Sequence, residues 1–254
     1  MPGMLEIQDH GPVRELRLAR PPVNALDPTL VEALHEAFAQ APASGARALV
    51  LSGRPGMFSA GLDVPALLAL DRADMRRFWS RFFGLLRGFA ESPLPIAAAL
   101  TGHSPAGGTV LGIFCDVRFA AEGDFKIGLN EVQIGLCVPP VVLAAFERVV
   151  GPRHAAIHTI QGTLMSPATA REIGLVDELL PVDQVIPRAI AWGQTLAALP
   201  PAAVAKTRGF VRQPLIDAVR ELERPTNEQM LEVWFSPEAQ GALRAMVERV
   251  KSRR

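Results

Sequence analysis

The pattern of apolar and polar residues changes twice within the first fifty positions. Residues 4–8 and 13–18 alternate apolar with polar side chains around a Gly-Pro turn, which predicts a β-hairpin. Apolar residues then recur at helical spacing after Asp27 and Pro28, an N-cap acid followed by a proline suited to the first helical position. Residues 46–52 are mostly apolar and predict a strand that is buried on both faces.

Two segments then repeat the order strand, glycine-rich loop, helix. The first passes from the strand just described through a loop at 53–64 to helices at 65–70 and 73–91. The second passes from a strand at 95–100 through a glycine-rich turn to an apolar helix that ends near Cys115. Strands that alternate with helices in this way are typical of an α/β fold with parallel strands.

The last third of the chain has a different pattern. After Pro181 the spacing predicts only helices, at residues 182–199, 201–212, 215–234 and 237–250. A double proline at positions 200 and 201 marks a boundary. We therefore expect an α/β body with the functional site over residues 1–199 and a helical segment over residues 200–254.

Composition narrows the classes of function. The 254 residues are 49% hydrophobic, enough for a substantial core, and 26 basic residues balance 26 acidic ones, so no basic surplus favours nucleic acid. No uncharged apolar run approaches the roughly 18 residues that span a membrane, and no signal peptide is evident. Cys115 and Cys137 both lie in apolar segments, which disfavours a disulfide framework. The sequence predicts a cytoplasmic protein that binds neither nucleic acid nor membrane.

Candidate chemistry lies at the start of the apolar helix and just beyond its end. Residues 105–108, with the sequence PAGG, have almost no side chain, so a ligand can approach backbone N–H groups that suit a partial negative charge. Glu131 is an acid within the otherwise apolar run 127–136, where burial would shift its basicity toward general-base work. A backbone anion site and a lone carboxylate are parts of a site that forms an enolate.

Other interpretations of these residues are weaker or remain open. The glycines near position 107 do not form G-x-G-x-x-G, and no Gly-Lys-Ser/Thr is present, so neither a dinucleotide fingerprint nor a P-loop is predicted. His103 has no serine or cysteine partner with an orienting acid, and His154 and His158 lack a third metal ligand. Glu131 taken alone could be a surface acid, and a glycine pair often serves only helix–strand packing.

Several motifs together carry a resemblance to a known family. FSAGLDV (58–64), PAGGTVLGIFCDVRFAA (105–121), IGLNEVQIGL (127–136) and SPATAREIGLVDELLP (166–181) resemble the crotonase, or enoyl-CoA hydratase/isomerase, superfamily. The resemblance extends from the VNAL loop at 23–26 to the final helices. It implies a spiral of β-β-α units, an acyl-CoA thioester substrate, and a homotrimer or hexamer assembled by the segment 200–254. It implies no metal, and no cofactor apart from the CoA that belongs to the substrate.

The resemblance also implies roles for individual residues. The backbone N–H groups of Leu62 and Gly107 would stabilise an enolate at the thioester oxygen, and Glu131 would transfer the proton. Hydratases of this family use two glutamates, but Val110 stands at the first of these positions. A single glutamate in the motif GLNE is similar to the enoyl-CoA isomerases that move a double bond from position 3 to position 2.

Further substrate contacts follow from the same resemblance, at Ala25, Ala60, Gly61, Asp63, Val64, Gly108, Asn130 and Lys206. The resemblance implies that Lys206, or Arg208 as its alternative, reaches the nucleotide phosphate of CoA, in some members across a subunit boundary. The pocket beyond the thioester is expected from residues 65–90 and the last helices. Two alternatives stay open. One is another crotonase reaction, such as hydration, hydrolysis or C–C cleavage, with a second acid from Asp63, Asp71 or Asp74; the other is a non-catalytic acyl-CoA binder.

Overall fold

The structure, a computed structural model, describes residues 3–252. Its strands are β1 (Leu5–His10), β2 (Val13–Leu18), β3 (Ala48–Ser52), β4 (Gly56–Met57), β5 (Ile96–Leu100), β6 (Gly102–Pro105), β7 (Val117–Ala121), β8 (Ile127–Gly128) and β9 (Glu178–Leu180). Its α-helices are α1 (Pro28–Gln40), α2 (Val64–Leu67), α3 (Arg72–Glu91), α4 (Gly107–Ile113), α5 (Pro140–Gln161), α6 (Pro167–Glu172), α7 (Val185–Ala197), α8 (Pro201–Trp234) and α9 (Pro237–Lys251). Short 3-10 helices lie at Ala41–Ser44, Glu131–Ile134 and Val182–Gln184.

A six-stranded sheet with the order β1-β2-β3-β5-β7-β9 forms the centre of the molecule. The predicted hairpin is its antiparallel edge, and every other pair of neighbouring strands is parallel. All residues of β3 and β5 are buried, because helices cover both faces of the sheet. Leu49 and Leu51 enter the large core under α1, α3, α4, α5 and α8, whereas Val50 enters a smaller core under α7. The α/β fold is confirmed.

A second, three-stranded parallel sheet with the order β4-β6-β8 positions the loops of interest. Each of its strands follows directly after a strand of the large sheet and precedes a helix, so the chain winds through β-β-α units. The sequence predicted a glycine-rich turn at these residues, and this prediction is wrong in part, because Gly102–Pro105 form strand β6. A strand of four residues that contains glycine gives no alternation to detect, and its partner strands lie some distance away along the chain.

Helix α8 differs from its prediction. The sequence predicted a break between residues 212 and 215, but one helix continues from Pro201 to Trp234 with Pro214 and Pro225 inside it. Proline removes a backbone hydrogen bond and bends a helix, yet packing can hold the two sides together. Leu215 is buried directly after the proline, and α8 packs against α3 and α5.

A buried ion cluster fixes the first half of α8. Arg208 Nε and Arg212 Nη1 donate to the two carboxylate oxygens of Asp116, at 2.8 and 2.7 Å. Arg212 also donates to the carbonyl of Phe114 at 2.7 Å, and Arg208 to carbonyls at the end of α3, including that of Phe89 at 3.0 Å. The segment beyond residue 200 is therefore anchored to the α/β body. None of the helices within residues 3–252 is long and apolar enough to cross a membrane.

We predict that Gly102→Ala destabilises the protein. A Cβ atom at this position would lie 2.0 Å from the carbonyl carbon of Gly56, where β6 pairs with β4. Backbone atoms cannot yield as a flexible side chain can, so the free energy of unfolding should fall by about 3 kcal/mol, the upper end of the usual cost of overpacking. Denaturant unfolding followed by circular dichroism measures the change.

Gly88→Ala is the matched control. Gly88 lies on the exposed side of α3, and a Cβ atom there would meet no atom within 4 Å. Replacing a helical glycine by alanine should raise the free energy of unfolding by about 0.5–1 kcal/mol. Equal stability of the two variants would contradict the close approach of β4 and β6.

Candidate active site

The two glycine-rich loops predicted from the sequence meet in the structure. Gly61 has φ 85°, and a Cβ atom on it would lie 3.0 Å from the backbone nitrogen of Gly107. A Cβ atom on Gly107 would lie 3.0 Å from the Cα atom of Gly61. The loops thus pack backbone against backbone, at a distance that leaves little room for side chains on either residue.

Hydrogen bonds on both sides of Leu62 fix its peptide group. Leu26 N–H donates to the carbonyl of Gly61 at 2.8 Å, and Asp63 N–H donates to the carbonyl of Leu26 at 3.0 Å. The N–H of Leu62 itself finds no acceptor within residues 3–252, and Leu62 lines a cavity. A fixed, unpaired donor at a cavity wall is suited to bind an oxyanion.

The second loop presents a donor in the same cavity. Ala106 N–H donates to the carbonyl of Gly128 at 2.8 Å, and Ala106 has φ 46°, a left-handed conformation that is uncommon for a residue with a side chain. Gly107 follows as the first residue of α4, so its N–H has no partner in the helix. No acceptor for it exists elsewhere in the described part of the chain, and Gly107 also lines the cavity.

Glu131 lies in the wall of this cavity. It begins a 3-10 helix after β8, is 9% exposed, and its Oε2 atom has no hydrogen-bond partner among the described residues. Burial raises the pKa of its carboxyl group from 4.5 to about 7. A carboxyl group with this pKa exists in both protonation states near neutral pH, which suits it to accept and return a proton.

The cavity has a volume of about 220 Å³ and a mainly apolar lining. Its lining residues are Ala60, Leu62, Val64, Trp79, Phe82, Pro105, Ala106, Gly107, Val110, Asn130, Glu131, Ile134, Leu136, Cys137, Pro139, Val142, Leu164, Met230 and Met246. Glu131 is the one carboxylate among the described residues that line it. Val110 occupies the position at which hydratases of the family that the sequence resembles carry their first glutamate. It is 3% exposed and contributes an apolar side chain to the cavity wall.

The acids considered as a second catalytic group are engaged elsewhere. The Asp63 carboxylate accepts a hydrogen bond from Ala66 N–H at 3.1 Å and forms an ion pair with Arg20. Asp71 caps α3, and Asp74 forms an ion pair with Arg77. None of these three carboxylates lines the cavity.

Comparison with known proteins identifies the family. Residues 8–253 match the profile of the enoyl-CoA hydratase/isomerase family. The chain belongs to this family. Mouse mitochondrial enoyl-CoA delta isomerase 1 is 30% identical over 98% of this chain and 88% of its own length, and a probable enoyl-CoA hydratase of Mycobacterium avium is 32% identical over 82% and 79%. The crystal structure of human mitochondrial delta3-delta2-enoyl-CoA isomerase superposes with a TM-score of 0.93 at 28% identity, covering 99% of this chain and 100% of that one.

Only some of the residues predicted to bind substrate line the cavity. Ala60, Val64 and Asn130 line it. Ala25 and Gly61 are buried in the adjacent loops. Like Ala25 and Gly61, Gly108 and Asp63 do not line the cavity: Gly108 packs against the Ser59 carbonyl, and the Asp63 side chain is engaged as described.

The two basic candidates for binding the CoA phosphates lie away from the cavity. Arg208 is buried against Asp116 and the end of α3, so its prediction as a phosphate ligand is wrong. The sequence could not reveal this, because Asp116 lies 92 residues away along the chain. Lys206 is exposed on α8 with its Nζ atom 5.8 Å from the centre of the Phe210 ring. Its role as a substrate contact stays a prediction.

Sequence reasoning missed most individual residues of the apolar wall. Trp79 and Phe82 come from α3, within the predicted range 65–90, while Met230 and Met246 come from the last two helices. Helical spacing placed Phe82 on the apolar face of its helix, but it could not distinguish a cavity wall from the core. Cys137, also in the wall, has its Sγ atom 3.7 Å from the Met230 sulfur.

The histidines do not contribute to this site. His103 Nδ1 accepts a hydrogen bond from Lys126 N–H at 3.2 Å, and the ring stacks edge-on against Phe125. His154 and His158 stack on each other with ring centres 5.8 Å apart. Within the described residues, no group of three or more His, Cys, Asp or Glu side chains could hold a metal ion.

We predict that Glu131→Gln stabilises the protein above pH 7. Between pH 4.5 and about 7 the folded protein holds the Glu131 proton more tightly than the unfolded chain, so the contribution of this group to stability falls as pH rises. The shift corresponds to about 3 kcal/mol, and a neutral glutamine avoids this penalty. Unfolding free energies of both proteins at pH 5 and pH 8 test this.

The expected gain is largest at pH 8 and small at pH 5, where the wild-type carboxyl group is mostly protonated in the folded state. Glu122→Gln is the control, because Glu122 is exposed at the end of β7. If Glu131→Gln raised the free energy of unfolding equally at pH 5 and pH 8, folding would not raise the pKa of the Glu131 carboxyl group, and the prediction would be wrong.

Proposed function

We propose that this family member isomerises 3-enoyl-CoA thioesters to 2-enoyl-CoA thioesters. The observation that carries the proposal is the single buried carboxylate of Glu131 in an apolar cavity that also presents the unpaired N–H groups of Leu62 and Gly107. The similarity to enoyl-CoA delta isomerases supports the same reaction.

The two N–H groups provide electrostatic stabilisation. In the proposed complex both donate to the thioester oxygen, which gains negative charge when a proton leaves C2. Because hydrogen bonds inside the chain already hold both peptide groups, they need little rearrangement as the charge develops. Loss of one such donor typically lowers kcat about 10²–10³-fold.

Glu131 moves the proton in this proposal. Its ionised carboxylate removes a proton from C2 of the 3-enoyl thioester, and the electrons delocalise into a dienolate. The protonated carboxyl group then returns the proton to C4, so the double bond moves to position 2 and the enzyme regains its starting state. A pKa of about 7 balances the two half-reactions near neutral pH. The reaction needs no cofactor beyond the CoA of the substrate.

Hydration is the second candidate, because a probable enoyl-CoA hydratase is also among the relatives. Adding water requires groups that bind it and deliver its proton to the opposite carbon. The Val110 side chain can do neither, and no other Asp or Glu of the described chain lines the cavity. The geometry therefore favours the isomerase over the hydratase.

The remaining parts of the substrate are assigned by the same proposal. The loops at Ala25 and at residues 60–64 face the CoA portion, and the acyl tail enters the part of the cavity lined by Trp79, Phe82 and Met230, which we term the tail pocket. Assembly into trimers or hexamers, a contact from Lys206 of a neighbouring subunit, and a cytoplasmic location remain predictions from the sequence.

We predict that Glu131→Gln abolishes isomerisation and retains substrate binding. The protein receives a 3-enoyl-CoA or a 2-enoyl-CoA in separate reactions, and absorbance of the conjugated thioester reports formation or loss of the conjugated product. The wild type should convert the 3-enoyl-CoA and leave the 2-enoyl-CoA unhydrated. In Glu131→Gln, kcat should fall by about 10²–10⁴-fold, the usual contribution of general acid–base catalysis.

Calorimetric titration with a saturated acyl-CoA distinguishes catalysis from binding, and Glu122→Gln controls for loss of a carboxylate. Loss of conjugation with a 2-enoyl-CoA would identify a hydratase. Binding of the saturated thioester without turnover of either substrate would leave only an acyl-CoA binder.

We predict that Met230→Ala shifts the preference toward longer acyl tails. Met230 is buried and borders the tail pocket, so a smaller side chain leaves room for additional methylene groups. Each buried methylene contributes about 0.8 kcal/mol, so two of them should raise kcat/KM for a long 3-enoyl-CoA about tenfold relative to a short one. Rates with hexenoyl, decenoyl and tetradecenoyl thioesters measure the profile.

Met75→Ala is the matched control. Met75 is equally buried, on α3, but it does not line the cavity. Both variants should lose stability, since each removes a buried side chain. A parallel change in both chain-length profiles would mean that the acyl tail does not lie against Met230.

A further inference from the structure

Arg20 connects the two loops that precede α1 and α2. Its Nη1 atom donates to the carbonyl of Ala25 at 3.0 Å, and its Nη2 atom lies 3.2 Å from Asp27 Oδ2 and 2.6 Å from Asp63 Oδ2. The Arg20 side chain is 22% exposed, so these contacts are shielded from solvent for the most part. Arg20 does not line the cavity.

Both carboxylates bonded to Arg20 have a second role. Asp27 Oδ1 accepts a hydrogen bond from Leu30 N–H at 2.8 Å and caps α1, while Asp63 Oδ1 accepts from Ala66 N–H at 3.1 Å and caps α2. One oxygen of each carboxylate thus fixes a helix and the other binds Arg20. Within residues 3–252, no other basic side chain forms an ion pair with either carboxylate. Without Arg20, two like charges would face each other across the loops.

The contacts of Arg20 surround the residue that fixes the Leu62 peptide. Leu26 lies between Ala25 and Asp27, which both bind Arg20, and it holds Leu62 through hydrogen bonds to Gly61 and from Asp63. Arg20 therefore restrains both strands of the Leu26–Leu62 bridge, one through Ala25 and Asp27 and the other through Asp63. A shift of either strand would turn the Leu62 N–H away from its present direction.

We propose that Arg20 is a positioning residue for the oxyanion site: its guanidinium group holds the Leu62 N–H in the direction needed to bind the thioester oxygen. The inference rests on the proposed role of Leu62. Arg20 binds the carbonyl through Nη1 and both carboxylates through Nη2, and the single nitrogen of a lysine does not reproduce this spread of donors.

The experiment compares the wild type with Arg20→Gln, Arg20→Lys and Asp63→Asn. The asparagine side-chain oxygen can still cap α2, so Asp63→Asn removes the ion pair with less risk to folding. Arg81→Gln is the matched control, because Arg81 forms a 2.8 Å ion pair with Glu32 that also links two elements but lies outside these loops. Thermal unfolding shows that each variant is folded.

Two readouts separate positioning from general stability. The first is the kinetics of 3-enoyl-CoA isomerisation, in which Arg20→Gln and Asp63→Asn should lower kcat about 10- to 100-fold and leave KM within about twofold, because the donor is misdirected rather than lost. Arg20→Lys should be intermediate. The second is the infrared carbonyl band of a bound carbon-13-labelled 2-enoyl-CoA, which hydrogen bonding to the oxygen moves to lower frequency.

On binding, the carbonyl band of the labelled 2-enoyl-CoA should move to lower frequency in the wild type and in Arg81→Gln. The shift should be clearly smaller in Arg20→Gln and Asp63→Asn. A full shift of the band and an unchanged kcat in folded Arg20→Gln would overturn the inference. If the wild type polarises the carbonyl and Arg20→Gln does not, while neither protein isomerises 3-enoyl-CoA, then the inference stands and the proposed reaction falls.

Discussion

The contact between the backbones of Gly61 and Gly107 is the constraint on which the site depends. These residues end two loops that start from different strands of the small sheet, and their separation leaves little room for a Cβ atom. Because β4 and β6 pair in parallel, both loops leave the sheet at the same edge and arrive at one place. The large sheet and its helices hold these two loops against each other, and the cavity forms beside the contact.

The position of Glu131 shows a conflict between stability and chemistry. A carboxyl group with an unpartnered oxygen in an apolar wall is costly for folding, and burial raises its pKa for the same reason. The same burial gives the group a basicity near neutral pH, which proton transfer requires. Val110 contributes to this environment, since an acid there would add both water and a second charge. A single carboxylate and an apolar wall are thus two aspects of one arrangement.

Local patterns in the sequence were sufficient for much of this structure. The hairpin, the buried strands β3 and β5, the helix cap at Asp27, and the two glycine loops all leave signals within a few residues. The small sheet did not, because two-residue strands are defined by partners rather than by composition. The burial of Arg208 also depends on a distant partner, Asp116, and an arginine on an amphipathic helix otherwise resembles a solvated charge. Contacts of long sequence separation account for both failures.

The position of the last helices gives the site two parts with separate origins in the chain. The proposed reacting groups lie within residues 62–131, on loops fixed by the two sheets, whereas the tail pocket is completed by Met230 of α8. Helix α8 reaches that place because Arg208 and Arg212 bind Asp116, directly after the segment that carries Gly107 and α4. One carboxylate outside the cavity therefore links the segment that carries Gly107 to the helix that completes the tail pocket. Because Met230 and the proposed reacting groups lie on separate elements, the proposed reaction leaves the size of the tail pocket to be set by side chains of α8.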